Sequence, residues 1–170
     1  MKHTKKLVVS ALFAALAFVA TYFFSFSLPT GYANLGDCFA FLAGFCLGGP
    51  WGAAAAGVGI ALADLLLGWA LYMPATFVLK AFIALCGAFA FKCARDKNNL
   101  GIVIIAALSL LGEAMMVLGY FFYESVLLGV GSAAILSVPG NLTQAGVGII
   151  TSTLLAIIFA KNKRLKELIK

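Results

Sequence analysis

The chain has 170 residues, 64% of them hydrophobic and only 11% charged. With a mean hydropathy of +1.08, a water-soluble domain of this size has nowhere to hide so much apolar surface, so lipid is the expected solvent. The net charge of +6 sits mostly in three clusters: Lys2, Lys5 and Lys6; Lys92, Arg95 and Lys97; and Lys161, Lys163, Arg164, Lys166 and Lys170. That distribution follows the positive-inside rule and excludes a nucleic-acid groove.

The apolar runs are continuous rather than alternating as in a membrane barrel, which favours helices. An all-α membrane protein follows, one integral domain over residues 1–170. Its six transmembrane helices are expected at about 7–28, 37–49, 51–68, 74–92, 101–127 and 141–160. The first span follows a basic tip and is too long and too aromatic for a cleaved signal peptide. Pro29, Thr30 and Gly31 end it. Near its start, Ala11 and Ala15 stand at the small-xxx-small spacing that lets a second helix approach closely.

Gly31-Tyr-Ala-Asn-Leu-Gly-Asp37 comes next, an irregular segment between apolar runs. Lipid gives Asn34 and Asp37 no partner, so they are expected to face a cavity that this loop closes. The second segment has only about 12 apolar residues, roughly 18 Å of helix against a ~30 Å hydrocarbon core. It either re-enters or borrows residues from the loop before it. Gly44 and Gly48, and the run from Ala53 to Gly57, offer smooth faces for packing inside the bundle or against another membrane protein.

Asp64 lies late in the third span, and Lys80 follows Tyr72-Met73-Pro74 in the fourth. Even numbers of crossings must flank the basic 92–97 loop, which places both termini in the cytoplasm. The loops 29–36, 69–73 and 128–140 contain no lysine or arginine and fit the outer side. With that topology, Asp37, Asp64, Lys80, Glu113, Glu124, Asn141 and Gln144 converge on the outer half of the membrane. A pocket open to the outside predicts this asymmetry, and packing alone does not.

In the fifth span Glu113, Met116, Tyr120 and Glu124 recur at spacings of three and four and so share one face, with Tyr123 beside it. Carboxylates and tyrosines together can bond to and stack on a flat polar heterocycle. Lys80 is expected to neutralise Asp64 or Glu113 as a buried ion pair. Ser137 to Asn141 reads as a turn, with Asn141 and Gln144 opening the sixth span.

Cys38, Cys46, Cys86 and Cys93 show no CxxC spacing, and His3 is the only histidine. No metal site and no cofactor are therefore expected, and the thiols read as small packing residues. A P-loop, an HExxH pair and a GxSxG elbow are all absent from the sequence. No catalytic residue is assigned. Any energy for transport must come from an ion gradient or from partner subunits.

Several short motifs carry a resemblance. Asn34-Leu-Gly-Asp37, Phe41-Leu-Ala-Gly44, Gly48-Gly-Pro50, Ala61-Leu-Ala-Asp64 with Gly68, and Tyr72-Met-Pro-Ala-Thr-Phe77 with Lys80 stand in this order. Gly119-Tyr120 with Glu113 and Glu124, and Pro139-Gly-Asn141 with Gln144, complete the set. Over about residues 7–160 the chain resembles the substrate-binding S component of energy-coupling factor (ECF) vitamin transporters. That resemblance implies a six-helix subunit of a bacterial or archaeal plasma membrane, with its vitamin held near the outer surface. The partners it implies are a transmembrane coupling subunit, faced by Ala11 and Ala15, and two ATPase subunits that supply the energy. It also implies toppling in the membrane to release the vitamin inside. The branch it looks most like is associated with riboflavin and with hydroxymethylpyrimidine or pyridoxine. The carboxylates and tyrosines tilt the expectation towards a pyridine or pyrimidine vitamin. Two other classes fit the residues: a gradient-driven carrier using Glu113 as a relay, and a membrane scaffold that binds nothing.

Overall fold

The computed structural model describes residues 3–28, 31–94 and 99–162. Pro29 and Thr30, the basic loop at 95–98 and the basic tail from Lys163 onward lie outside the described residues. Six α-helices occur among those described: α1 (His3–Phe23), α2 (Gly36–Leu47), α3 (Gly49–Leu66), α4 (Met73–Ala94), α5 (Asn99–Phe122) and α6 (Val138–Lys161). All except α2 belong to stretches long and apolar enough to cross a bilayer. The protein is therefore an α-helical, multi-pass membrane protein.

The short helix α2 has 12 residues, and eleven of them are buried. It is enclosed by α1, α3, α4 and α6. A helix surrounded by protein has its polar ends satisfied by neighbours and need not match the bilayer thickness. Its first turn carries Asp37, the favoured place for a negative charge against the helix dipole.

The first span is shorter than expected. Helix α1 stops at Phe23, and β1 (Ser25–Leu28) pairs antiparallel with β2 (Gly31–Asn34), placing Ser25 opposite Asn34. Phe24-Ser-Phe-Ser-Leu28 alternates with the period of a strand, which explains the break. The irregular segment expected from Gly31 is thus one arm of a β-hairpin.

Small residues draw α2, α3 and α4 together. A methyl group at Gly44 would run into the backbone of Ala84, and one at Gly52 into that of Gly44. Ala55, Ala56 and Gly57 are buried as well. These residues are spent inside the bundle, so of the two packing readings for Gly44 the internal one holds. Gly48 has φ +84° and makes the break between α2 and α3, a backbone shape that side chains disfavour. Ala11 and Ala15, by contrast, are exposed on α1.

The fifth span also departs from a plain helix. Regular α structure ends at Phe122, and Tyr123–Leu127 widens into a π turn, a feature that re-aims side chains and is frequent at functional sites. A 3-10 helix (Gly131–Leu136) then leads into α6, with Pro139 in its first turn. Ser137–Asn141 is therefore already a helix start rather than a separate turn: the Asn141 N–H donates to Ser137 O at 3.0 Å.

Candidate ligand-binding site

A cavity of about 460 Å³ lies at the hairpin end of the bundle. Helix α3 contributes Ile60 and Asp64, the α3–α4 connection Trp69 and Tyr72, and α4 Thr76 and Lys80. From the C-terminal half come Tyr120, Glu124, Ser137, Asn141 and Gln144, and the hairpin adds Asn34. The 3-10 segment completes the wall with Val130, Ala133, Ala134 and Leu136. Of the residues expected from sequence, Asn34, Asp64, Tyr72, Lys80, Tyr120, Glu124, Asn141 and Gln144 line this space. Asp37, Glu113 and Met116 do not; they stand one layer behind it.

The floor is a buried ion pair. Lys80 Nζ lies 2.6 Å from Asp37 Oδ1, with both side chains at most 1% exposed. Gln144 Nε2 donates to the other oxygen, Asp37 Oδ2, at 2.6 Å. A further Lys80 donor meets the Met116 sulfur at 3.0 Å, a weak acceptor. The partner of Lys80 is thus Asp37, not Asp64 or Glu113 as expected. The close packing of α2 on α4 at Gly44 and Ala84 brings the first turn of α2 beside Lys80. Asp64 is engaged elsewhere, as an acceptor for the Thr76 hydroxyl.

That hydroxyl sets the polarity of one wall. Thr76 has a single proton and gives it to Asp64, so in its 2.8 Å contact with Tyr120 it must accept. The Tyr120 hydroxyl spends its proton on Thr76 and keeps only lone pairs for the cavity. Lys80 Nζ lies 5.7 Å from the Tyr120 ring centroid. Above Tyr120, Tyr72 stands 6.3 Å away, with Tyr123 at 6.1 Å and Trp69 at 5.6 Å from Tyr72. Tyr123 is fixed by donating to Leu71 O, and the Ser137 hydroxyl donates to Glu124 Oε2.

Two amide orientations are dictated by their partners. Asn34 Oδ1 accepts the Gly36 N–H at 2.7 Å and a long 3.5 Å bond from Thr21, so this oxygen ties the hairpin to α1 and α2. Gln144 must turn its NH₂ towards the Asp37 carboxylate.

Glu113 is 1% exposed, and neither of its oxygens has a hydrogen-bond partner among the described residues. It presses on α6 at Gly148, where a methyl group would strike the carboxylate. As the spacing predicts, Glu113, Met116, Tyr120 and Glu124 all lie on one buried face. Glu113 is simply too deep on that face to reach the cavity.

Sequence reasoning missed Thr76, Ser137, Trp69 and Ile60. Thr76 is four residues before Lys80, and Ser137 is four before Asn141, so helical spacing carried a signal for both. The apolar 130–136 wall carried none. Among the described residues no group of His, Cys, Asp and Glu is placed to hold a metal ion.

Apolar helices around a half-open cavity lined in part by polar side chains define a small multi-pass membrane protein. Residues 1–161 match the family described as ECF-type riboflavin transporter, S component, and the chain belongs to that family. It is also 34% identical over 134 residues to a Pyrococcus woesei protein described as "Uncharacterized protein in gap 3'region"; the match covers 78% of this chain and 84% of that one. The protein is accordingly a membrane component of vitamin uptake, of a transporter family that is not enzymatic.

Proposed function

We propose that this chain captures its vitamin in the 460 Å³ cavity and delivers it through an ECF complex. In this reading the hairpin end faces outward, both termini lie in the cytoplasm, and all six helices form one membrane domain in a bacterial or archaeal plasma membrane. The energy comes from two ATPase subunits acting through a transmembrane coupling subunit docked on the Ala11 and Ala15 face of α1. One observation carries the reading: Asp64, Lys80, Tyr120, Glu124 and Gln144, from four separate helical elements, all line one cavity. A scaffold has no use for such an arrangement, because each buried polar group there costs stability.

The lining suits a nitrogen-containing heteroaromatic ring with polar substituents, a pyridine or pyrimidine vitamin such as pyridoxine or hydroxymethylpyrimidine. Trp69, Tyr72 and Tyr120 offer ring faces, and the carboxylates accept ring-substituent donors. Riboflavin is the second reading. It is favoured by the family's description and by a cavity within the ~300–1,000 Å³ range of sites for drug-sized ligands.

The test is mass spectrometry of the small molecule retained by the detergent-purified chain, followed by titration of that compound. Trp69 lines the cavity, so a Trp51→Phe variant reports binding through Trp69 fluorescence. A stoichiometric vitamin with saturable quenching is the expected result. An empty protein whose fluorescence no vitamin alters would refute the binding reading.

A further inference from the structure

We propose that a monovalent alkali-metal cation is held between α5 and α6 by Glu113, Ser109 and Ser152. The site is separate from the cavity and independent of what the cavity binds.

Four oxygens define it. Glu113, Ser109 and Ser152 are each 1% exposed. Neither Glu113 oxygen and neither hydroxyl has a hydrogen-bond partner among the described residues. Buried polar groups are nearly always satisfied, and inside a bilayer no bulk water stands by to do it. The three side chains are also neighbours. Ser109 precedes Glu113 by four residues and shares its face of α5. Glu113 meets α6 at Gly148, where the missing side chain makes room for the carboxylate. Ser152 follows Gly148 by four residues on the buried face of α6. Helices α5 and α6 pack together, and α5 runs towards the hairpin end while α6 runs away from it. Both serines therefore stand about one turn, ~6 Å, beyond the contact of Glu113 with Gly148, on the side away from the hairpin.

These hydroxyls are held open rather than tied back. Ser10, Thr143 and Thr151 each donate to the carbonyl four residues earlier, the usual resort of a hydroxyl on a helix. Ser109 and Ser152 do not, and neither bonds to Glu113. Three polar groups that converge without bonding leave a position between them for a small bridging group.

Charge and ligand type select that group. The pair of Asp37 and Lys80 is formally neutral, so Glu113 adds one uncompensated negative charge to this layer. A water molecule does not cancel it, and one monovalent cation does. A carboxylate with two hydroxyls is an all-oxygen set, which suits a hard cation. A divalent or transition metal calls for further acidic, imidazole or thiolate ligands, and no such cluster occurs among the described residues. Met116, one turn nearer the cavity on α5, meets Lys80 at 3.0 Å, so the ion braces the helix that backs the cavity floor.

The test is thermal unfolding of the ligand-free full chain in detergent, followed by tryptophan fluorescence. Sodium, potassium and N-methylglucamine chloride are compared at equal ionic strength, the last being too large to enter the bundle. We expect sodium or potassium to raise the midpoint saturably, by about 5 °C over N-methylglucamine. Glu113→Gln should remove that rise and leave the three salts equal. Ser152→Ala keeps the carboxylate and should raise the half-saturating cation concentration about tenfold; it carries the test if Glu113→Gln does not fold. A cooperative transition in N-methylglucamine shows that each variant is folded. Equal midpoints for the parent chain in all three salts would overturn the proposal. A midpoint that rises on acidification and ignores the salt would assign the layer to a proton and overturn it too. An alkali-cation effect unchanged by both substitutions would overturn the placement of the ion at Glu113. The vitamin titration is read separately, so failure here leaves the cavity reading standing.

Discussion

The pair formed by Lys80 and Asp37 makes a demanding prediction about stability. Each side chain is at most 1% exposed and the charged atoms are 2.6 Å apart. Replacing Lys80 with Met leaves an unpaired carboxylate, and replacing Asp37 with Leu leaves an unpaired ammonium. Either change should cost about 3–5 kcal/mol, the typical penalty for breaking a buried pair from one side. The double variant removes both charges and should recover most of that loss. Recovery should stop short of completeness, because Gln144 Nε2 loses the Asp37 acceptor it meets at 2.6 Å. An unsatisfied buried donor costs about 1–3 kcal/mol, which sets the expected deficit of the double variant. The assay is a double-mutant cycle by equilibrium unfolding in mixed micelles, with ligand absent. Strictly additive losses, leaving the double variant about 6–10 kcal/mol less stable, would refute the pairing. Single variants within about 1 kcal/mol of the parent would refute the burial of uncompensated charge.

Three further outcomes follow from separate contacts. Gly148→Ala pushes a methyl group into the Glu113 carboxylate; it should cost about 1–3 kcal/mol in the same unfolding assay, and Glu113→Ala in the same chain should restore most of it. Asn34→Ala removes the acceptor that joins Gly36 and Thr21 to the hairpin; stopped-flow release of bound ligand should quicken at least tenfold, and an unchanged rate would show that the hairpin does not hold the ligand in. Ala11→Trp enlarges an exposed position on α1; it should abolish uptake in cells carrying the complete transporter while leaving ligand affinity in detergent within twofold. Normal uptake by that variant would remove the docking face from α1.

The parts legible in the sequence were those carried by local periodicity. Glu113, Met116, Tyr120 and Glu124 recur at three and four residues, and one helix suffices to place them on one face. Depth on that face is another matter. It depends on how α5 crosses α6 at Gly148, a contact between distant parts of the chain, and so Glu113 could not be separated from the cavity residues in advance. The partner of Lys80 was hidden for a similar reason. Asp64 and Glu113 were the candidates, and the role falls instead to Asp37 because Gly44 lets α2 close onto α4. The hairpin was masked by composition: Phe24, Phe26 and Leu28 extend the apolar run of α1, and only two intervening serines betray the change of period. The apolar 130–136 wall has no polar residue among those that line the cavity, so nothing distinguished it from an ordinary connecting loop.

The buried acids also bear on the choice among transporter, carrier and scaffold. Of the six acidic residues in the chain, Asp37, Asp64, Glu113 and Glu124 are buried, and the other two, Asp96 and Glu167, lie outside the described residues. A helix bundle in lipid is held by close packing of small residues, which Gly44, Gly52, Gly57 and Gly148 already supply here. Asp37 has a structural reason, as the partner that Lys80 meets at 2.6 Å within the bundle. Asp64 and Glu124 accept from the Thr76 and Ser137 hydroxyls, yet each burdens the fold with a carboxylate removed from water. Side chains that weaken a fold persist where binding requires them. A relay carboxylate for a gradient-driven carrier would need access to the cavity, yet Glu113, the acid at the middle of α5, is buried and does not line it. The acids that do reach the cavity sit beside aromatic rings at its hairpin end, where they can hold a ligand. That arrangement fits a subunit that captures its vitamin and leaves the work of translocation to its partners.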